Sequence, residues 1–177
     1  AGAFTQKRVE TLQVLGGQIA ISIENALLYA EMEETIQERT KDIRSIMENV
    51  RQGIFTFGED LKIHAEHSVH LRDLFFAGRI QGVPFHELIL RGSDLSPDRI
   101  NQIMETVKVV FGESSLQFDI NEGLLPRELV RRSPKDQSVQ IFELDWVPVL
   151  DNEGMIFKIM VTVRDVTELR AIEAQAK

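Results

Sequence analysis

The chain has 177 residues, 43% of them hydrophobic, which is enough for one medium domain with an appendage or for two small ones. It contains no cysteine, so disulfide scaffolds, thiolate metal sites, thiol nucleophiles and cysteinyl-adduct photochemistry are excluded. A formal net charge of −8 disfavours nucleic acid and anionic lipid as partners, because counterion release needs clustered Lys and Arg.

From Val9 to Val50 there is no proline, the only glycines are Gly16 and Gly17, and apolar residues recur at helical spacing. This predicts one long helix or two nearly continuous ones. Leu12, Leu15, Ile19, Ser22, Ala26 and Tyr29 alternate steps of three and four, as do Met32, Ile36, Arg39, Ile43, Ile46 and Val50. Each series is a heptad seam with one polar member. Between Tyr29 and Met32 two steps of three follow one another, a stammer that locally overwinds a supercoil. A helix with no core of its own predicts a partner, most simply its own copy in a parallel homodimer. The alternative is a fold-back onto the later domain. No apolar run approaches the roughly 20 residues that a membrane helix requires, and no signal-peptide pattern opens the chain. The segment is therefore expected to be cytoplasmic, without membrane contact.

After Val50 the period changes. "GIFTFGEDLKIHAE" predicts two short strands, Ile54 to Phe57 and Leu61 to Ala65, around the turn Gly58, Glu59, Asp60. Short helical pieces follow, "VHLRDLFF" closed by Gly78 and "VPFHELIL" closed by Gly92. The best-marked helix has Ser96 as N-cap, Pro97 at its first position, Asp98 in the first turn and Gly112 past its end. Its buried stripe is Ile100, Ile103, Met104, Val107 and Phe111. Three further strands are predicted: Leu116 to Ile120, Val139 to Leu150 and Met155 to Val163. In the last, Met155, Phe157, Ile159, Val161 and Val163 share one face. Asp151, Asn152 and Gly154 form a hairpin turn between the final two strands. "NEGLLPRELVRRSPKDQ" reads as a long connection, and its basic knot Arg127, Arg131, Arg132 and Lys135, interrupted by Glu128, as a solvated loop. The order gives an α+β fold: a long coiled-coil helix followed by a five-stranded antiparallel sheet with helices on one face.

This order over residues 45–164, the opening "NVRQGIFTFGEDLKI" and the terminal "RDVTELR" resemble a PAS domain with its Asp-Ile/Val-Thr exit motif. "RVETLQVLGGQIAISIENALLYAEMEE" resembles the last helix of a GAF domain running into a signalling coiled coil. "QERTKDI" is similar to the linker before PAS or kinase modules. The two resemblances imply residues 1–44 as GAF-terminal helix and coiled coil, 45–164 as a PAS-like domain, and 165–177 as the start of an output helix. They imply an interior segment of a bacterial hybrid sensor histidine kinase, a two-component protein, with GAF upstream and kinase downstream in cis.

Candidate chemistry is sparse. His64, His67 and His70 are spaced by three with Glu66 among them, but they straddle a strand end and a helix start, so converging metal ligation is not expected. PAS domains that hold haem use a histidine on the long helix before the third strand. That helix has none here, and His86 sits one helix earlier. No catalytic spacing, phosphate loop or nucleophile elbow is present. Phe142, Leu144 and Trp146 share a strand face and read as packing. No cofactor is predicted.

The reading is a non-catalytic dimeric relay, with Tyr29 and Met32 at the stammer, Arg39 in the seam, and Asp165, Thr167 and Glu168 at the exit. Asp165 is placed to cap the new helix while Glu168 reaches back. The alternatives are a PAS sensor of a small apolar or carboxylate ligand held between sheet and helices, and the equivalent segment of a nucleotide cyclase.

Overall fold

A computed structural model describes residues 5–49 and 51–175, and the chain divides into two compact units, Ala1–Ser45 and Ile46–Lys177. In the first, α1 runs unbroken over Gln6–Asn49 through both glycines and through the stammer. The hydroxyls of Ser22, Thr35 and Thr40 donate to the carbonyls of Gln18, Glu31 and Ile36 at 2.8, 2.9 and 2.7 Å, so these polar groups are satisfied within the helix. Leu12, Leu15, Ile19, Tyr29, Met32, Ile36, Ile43 and Ile46 of the seam are all exposed in a single copy. Val50 lies outside the described residues. Among the described residues no helix is long and apolar enough to cross a membrane.

The second unit contains β1 (Gly53–Phe57), β2 (Ile63–His67), α2 (His70–Phe75), a wide helical turn at His86–Leu90, α3 (Pro97–Val110), α4 (Ser115–Asn121), β3 (Glu128–Arg132), β4 (Val139–Leu150), β5 (Ile156–Asp165) and α5 (Thr167–Gln175). The strands form one antiparallel sheet in the order β2-β1-β5-β4-β3. Alternation puts Phe55, Phe57, Leu129, Phe142, Leu144, Trp146, Ile159, Val161 and Val163 into the core, against Leu71, Phe75, Phe85, Ile89, Ile103 and Val107 from the helical segments. Aromatic rings dominate this core: Phe57 stacks on Phe85 with centroids 4.2 Å apart, and Trp146 meets Phe85 edge-on at 5.9 Å. The Trp146 indole N–H donates to the Pro126 carbonyl at 2.8 Å.

Two strand expectations need correction. Leu116 to Ile120 is helical, as α4: Ser114 is extended at φ −75°, ψ 165° and the chain then turns. Apolar residues two apart cannot share a helix face, so Phe118 is buried while Leu116 and Ile120 remain 65% and 68% exposed. The true third strand, β3, lies inside the segment read as a connection. Its sequence, Glu128-Leu-Val-Arg-Arg, offers one fully buried apolar residue, Leu129, and the charges common on an edge strand.

The phase of β5 also changes. Val149 pairs with Lys158 and Leu150 with Ile156, leaving Phe157 as an extra residue. This bulge turns Ile156 inward and leaves Phe157 and Met155 exposed, opposite to their expected face, whereas Ile159, Val161 and Val163 keep theirs. The second strand begins later than expected because Leu61 takes a left-handed φ of 61° in the turn. Likewise α2 ends before Gly78, at Phe76, which takes φ 51°.

Candidate functional site: the entry and exit joints of the sheet

β1 and β5 are neighbours, and Gly53 pairs with Val163. The residue that opens the sheet therefore lies beside the end of the strand that leaves it, and both joints occupy one end of the domain.

At the entry joint, a Cβ on Gly53 would lie 2.7 Å from Leu71 Cδ1, 3.0 Å from Leu74 Cδ1 and 3.4 Å from Val163 Cβ. Glycine here lets α2 press directly on the strand backbone. Ser68, fully buried, fixes the same point. Its hydroxyl donates to the Gln52 carbonyl at 2.8 Å and accepts from the Ile54 N–H at 2.8 Å, and its own N–H donates to the Ile54 carbonyl at 2.8 Å. Three bonds on one small side chain and its backbone hold the start of β1 to the start of α2.

At the exit joint, the Thr167 N–H donates to Asp165 Oδ1 at 2.9 Å, and the Thr167 hydroxyl donates to the same oxygen. That hydroxyl also accepts from the Ile141 N–H at 2.9 Å, while the Val166 N–H donates to the Ile141 carbonyl at 2.9 Å. The side chain of Thr167 thus extends the β4–β5 ladder past its last strand residue, and buried Val166 is held between the two bonds. Glu168 stands exposed in the first turn of α5, where a negative charge suits the helix dipole. The carboxylate that receives the leading N–H is that of Asp165.

One turn on, Arg170 reaches back to β3. Its Nε and Nη2 donate to Glu128 Oε2 at 3.0 and 2.9 Å, and Nη1 donates to Glu173 Oε2 at 2.8 Å. Hydrogen bonds and charge from Glu173 and Glu128 raise the Arg170 pKa above the ordinary arginine value. Arg164 pairs with Glu143 beside it. A groove of 730 Å³ brings Gln52 of the entry together with Thr162, Arg164 and Arg170 of the exit.

Of the residues singled out in sequence, Asp165 and Thr167 come together. Tyr29, Met32 and Arg39 belong to α1, where all three are exposed, Tyr29 by 73%. The histidines have separate local neighbours. His64 Nδ1 is 3.1 Å from Thr56 Oγ1, His67 Nδ1 is 3.3 Å from the Ser68 carbonyl, and His70 Nδ1 is 3.7 Å from Asp73. His86 Nδ1 is buried without a partner. Sequence reading missed Gly53, Ser68, Glu128, Ile141 and Arg170. A glycine opening a strand was the one available signal, because the other partners lie from 14 to 42 residues away along the chain.

No protein-family model matches the chain, and no curated protein matches it. Solved structures do. The PAS domain of a protein from Colwellia psychrerythraea superposes with a TM-score of 0.51 at 16% identity, over 76% of this chain and 98% of its own. The PAS domain of the fruit-fly ELK potassium channel gives 0.50 at 14% identity, over 72% and 97%. The Escherichia coli DhaR(N)–DhaL complex gives 0.52 at 14% identity, over 91% of this chain and 46% of that one. These likenesses show the fold: a long helix followed by a PAS-type sheet with its helices.

Proposed function

We propose that this chain is a non-catalytic, homodimeric signal relay from a sensor histidine kinase, coupling an upstream GAF-type sensor to a downstream kinase. The observation that carries this reading is the shared position of the two joints. Gly53 and Val163 pair, so motion delivered at the start of β1 acts next to the Asp165–Thr167–Ile141 knot that sets α5. Paired strands couple the joints through backbone hydrogen bonds rather than through flexible loop. The exposed seam of α1 supports the dimer, since a heptad series of Leu, Ile and Met needs a facing helix. In this mechanism α1 exchanges two seam packings about Tyr29 and Met32, with Arg39 as a polar member that lowers the cost of changing register. The change biases two states of the exit joint.

Light scattering of the 177-residue chain at micromolar concentration tests the dimer. A two-fold mass is expected, lost when Ile36 is changed to Asp; a monomer with α1 intact overturns the reading. The relay itself is tested in the full-length kinase by Thr167→Val, expected to uncouple activity from the sensor input. Unchanged regulation refutes it.

A further inference from the structure

α1 carries a second apolar stripe that the seam does not use. Val14, Ile21 and Leu28 repeat every seven residues, and each is more than half exposed. Each stands one residue before a member of the first series, Leu15, Ser22 and Tyr29, so the stripe is turned from that seam by about 100°. A helix apolar on two sides has more surface to cover than one partner in one register can cover.

The stripe is itself a seam. Val14, Gln18, Ile21, Asn25, Leu28 and Met32 alternate steps of four and three. The aliphatic residues Val14, Ile21 and Leu28 take the d positions, and Gln18 and Asn25 take the a positions. An Asn at an a position specifies register and oligomeric state at a cost in stability, which is the mark of a pairing between helices.

The two stripes also share one continuation. Met32 and Ile36 line two grooves of α1: one, of 440 Å³, runs on to Leu28 and Arg39, and the other, of 400 Å³, to Tyr29 and Gln37. Both stripes therefore lead into the same series, Met32, Ile36, Arg39, Ile43 and Ile46. Tyr29 joins it through the stammer. Leu28 joins it by two successive steps of four, through Met32 to Ile36, which is a stutter. A stutter unwinds a supercoil where a stammer overwinds it, so neither route keeps unbroken heptads and the join itself favours neither.

We propose that Val14, Ile21 and Leu28 form a second dimer seam, which a second copy of α1 occupies when the N-terminal half of the helix turns by one residue while the pairing of residues 32–46 is kept. The occupant is another copy of this helix because the stripe is continuous with that paired series and its polar positions match across a two-fold axis. Gln18 meets Gln18 and Asn25 meets Asn25, and each amide both donates and accepts. Ser22 and Ala26 leave the middle of the first seam thin, which narrows its advantage over the second. The inference rests on the dimer of the relay reading and supplies its second state.

The test exploits the absence of cysteine from the chain. In the 177-residue protein, single probes are Leu15→Cys and Ile19→Cys on the first seam, Ile21→Cys and Leu28→Cys on the second, and Ala20→Cys facing neither. Disulfide formation between copies is timed under mild oxidation, and circular dichroism confirms the helix in each variant. Because a disulfide needs Cα atoms within about 7 Å, all four seam probes should link about tenfold faster than Ala20→Cys. Filling the first seam with Ser22→Leu and Ala26→Leu should slow linking at Ile21→Cys and Leu28→Cys about tenfold and leave Ile19→Cys as fast as before or faster. Linking at Ile21→Cys and Leu28→Cys no faster than at Ala20→Cys overturns the second seam and leaves the dimer standing, since the first-seam probes still link. Linking there that the two leucines do not slow overturns the exchange and marks a separate contact between dimers. A monomeric mass with no linking at any probe overturns the dimer reading and this inference with it.

Discussion

Replacing Thr167 with Val removes one oxygen and little else, because the two side chains share shape and have similar helix propensity. The lost hydroxyl serves two neighbours: it accepts from the Ile141 N–H at 2.9 Å and donates to Asp165. The bond is part-buried, so the orphaned Ile141 N–H would have only partial access to water. An orphaned buried donor costs roughly 1–3 kcal/mol, and partial access places this one at about 1–2 kcal/mol. Asp165→Ala removes the acceptor of the Thr167 N–H, and loss of such a helix-leading bond costs about 1 kcal/mol. Since Asp165 and Thr167 bond each other, the double variant should fall short of the sum by about 0.5 kcal/mol or more. Urea denaturation followed by circular dichroism measures the totals, and hydrogen exchange at Ile141 localises them. A Thr167→Val cost below about 0.3 kcal/mol, or unchanged Ile141 protection, refutes the reasoning.

Ser68→Ala should cost about 2–3 kcal/mol in the same assay, since it strands the Gln52 carbonyl and the Ile54 N–H together; a cost near zero means water replaces the hydroxyl. Gly53→Ala should cost about 1–3 kcal/mol by overpacking against Leu71 and Leu74, and Gly53→Ala combined with Leu71→Val should recover part of it. Recovery would be absent if backbone entropy rather than contact set the cost. Deleting Ala30, Glu31 and Met32 brings Tyr29 to Ile36 at the four-residue step due there and makes the two seams continuous. In the relay proposed above, the melting temperature should rise and signalling by the full-length protein should lock in one state; a lowered melting temperature contradicts the stammer.

How much of this could be read from the residues depended on whether the partner was near in sequence. The cap of α3 was legible because Ser96 accepts from the Arg99 N–H three residues on, at 3.3 Å, and Pro97 sits where its missing donor does no harm. The β4–β5 hairpin was legible for the same reason: Asp151 Oδ1 accepts from the Glu153 and Met155 N–H groups, both at 2.9 Å, and Gly154 takes φ 80°. The Leu-Gln-Phe-Asp-Ile run carries no such mark, since alternation fits a strand and one buried Phe118 fits a helix equally well. Only the seating of α4 beside α3 decides between them. In β5 the alternation was read correctly from Ile159 onward, but a bulge has no signature in one strand alone, because it is defined against the register of its neighbour.

The residues of the joints went unseen for a related reason that bears on function. Ser68, Glu128 and Ile141 each act on a segment far along the chain, and each does so with an ordinary side chain or a bare peptide group. A joint built this way has modest local stability, since its bonds are few and partly exposed. That is the range in which an input worth a few kcal/mol can shift a two-state equilibrium appreciably. A core-like joint of buried aromatics would hold α5 more firmly and would transmit less. The polar, strand-borne construction of the exit, outside the aromatic core, is thus the part of the structure on which the proposed relay depends.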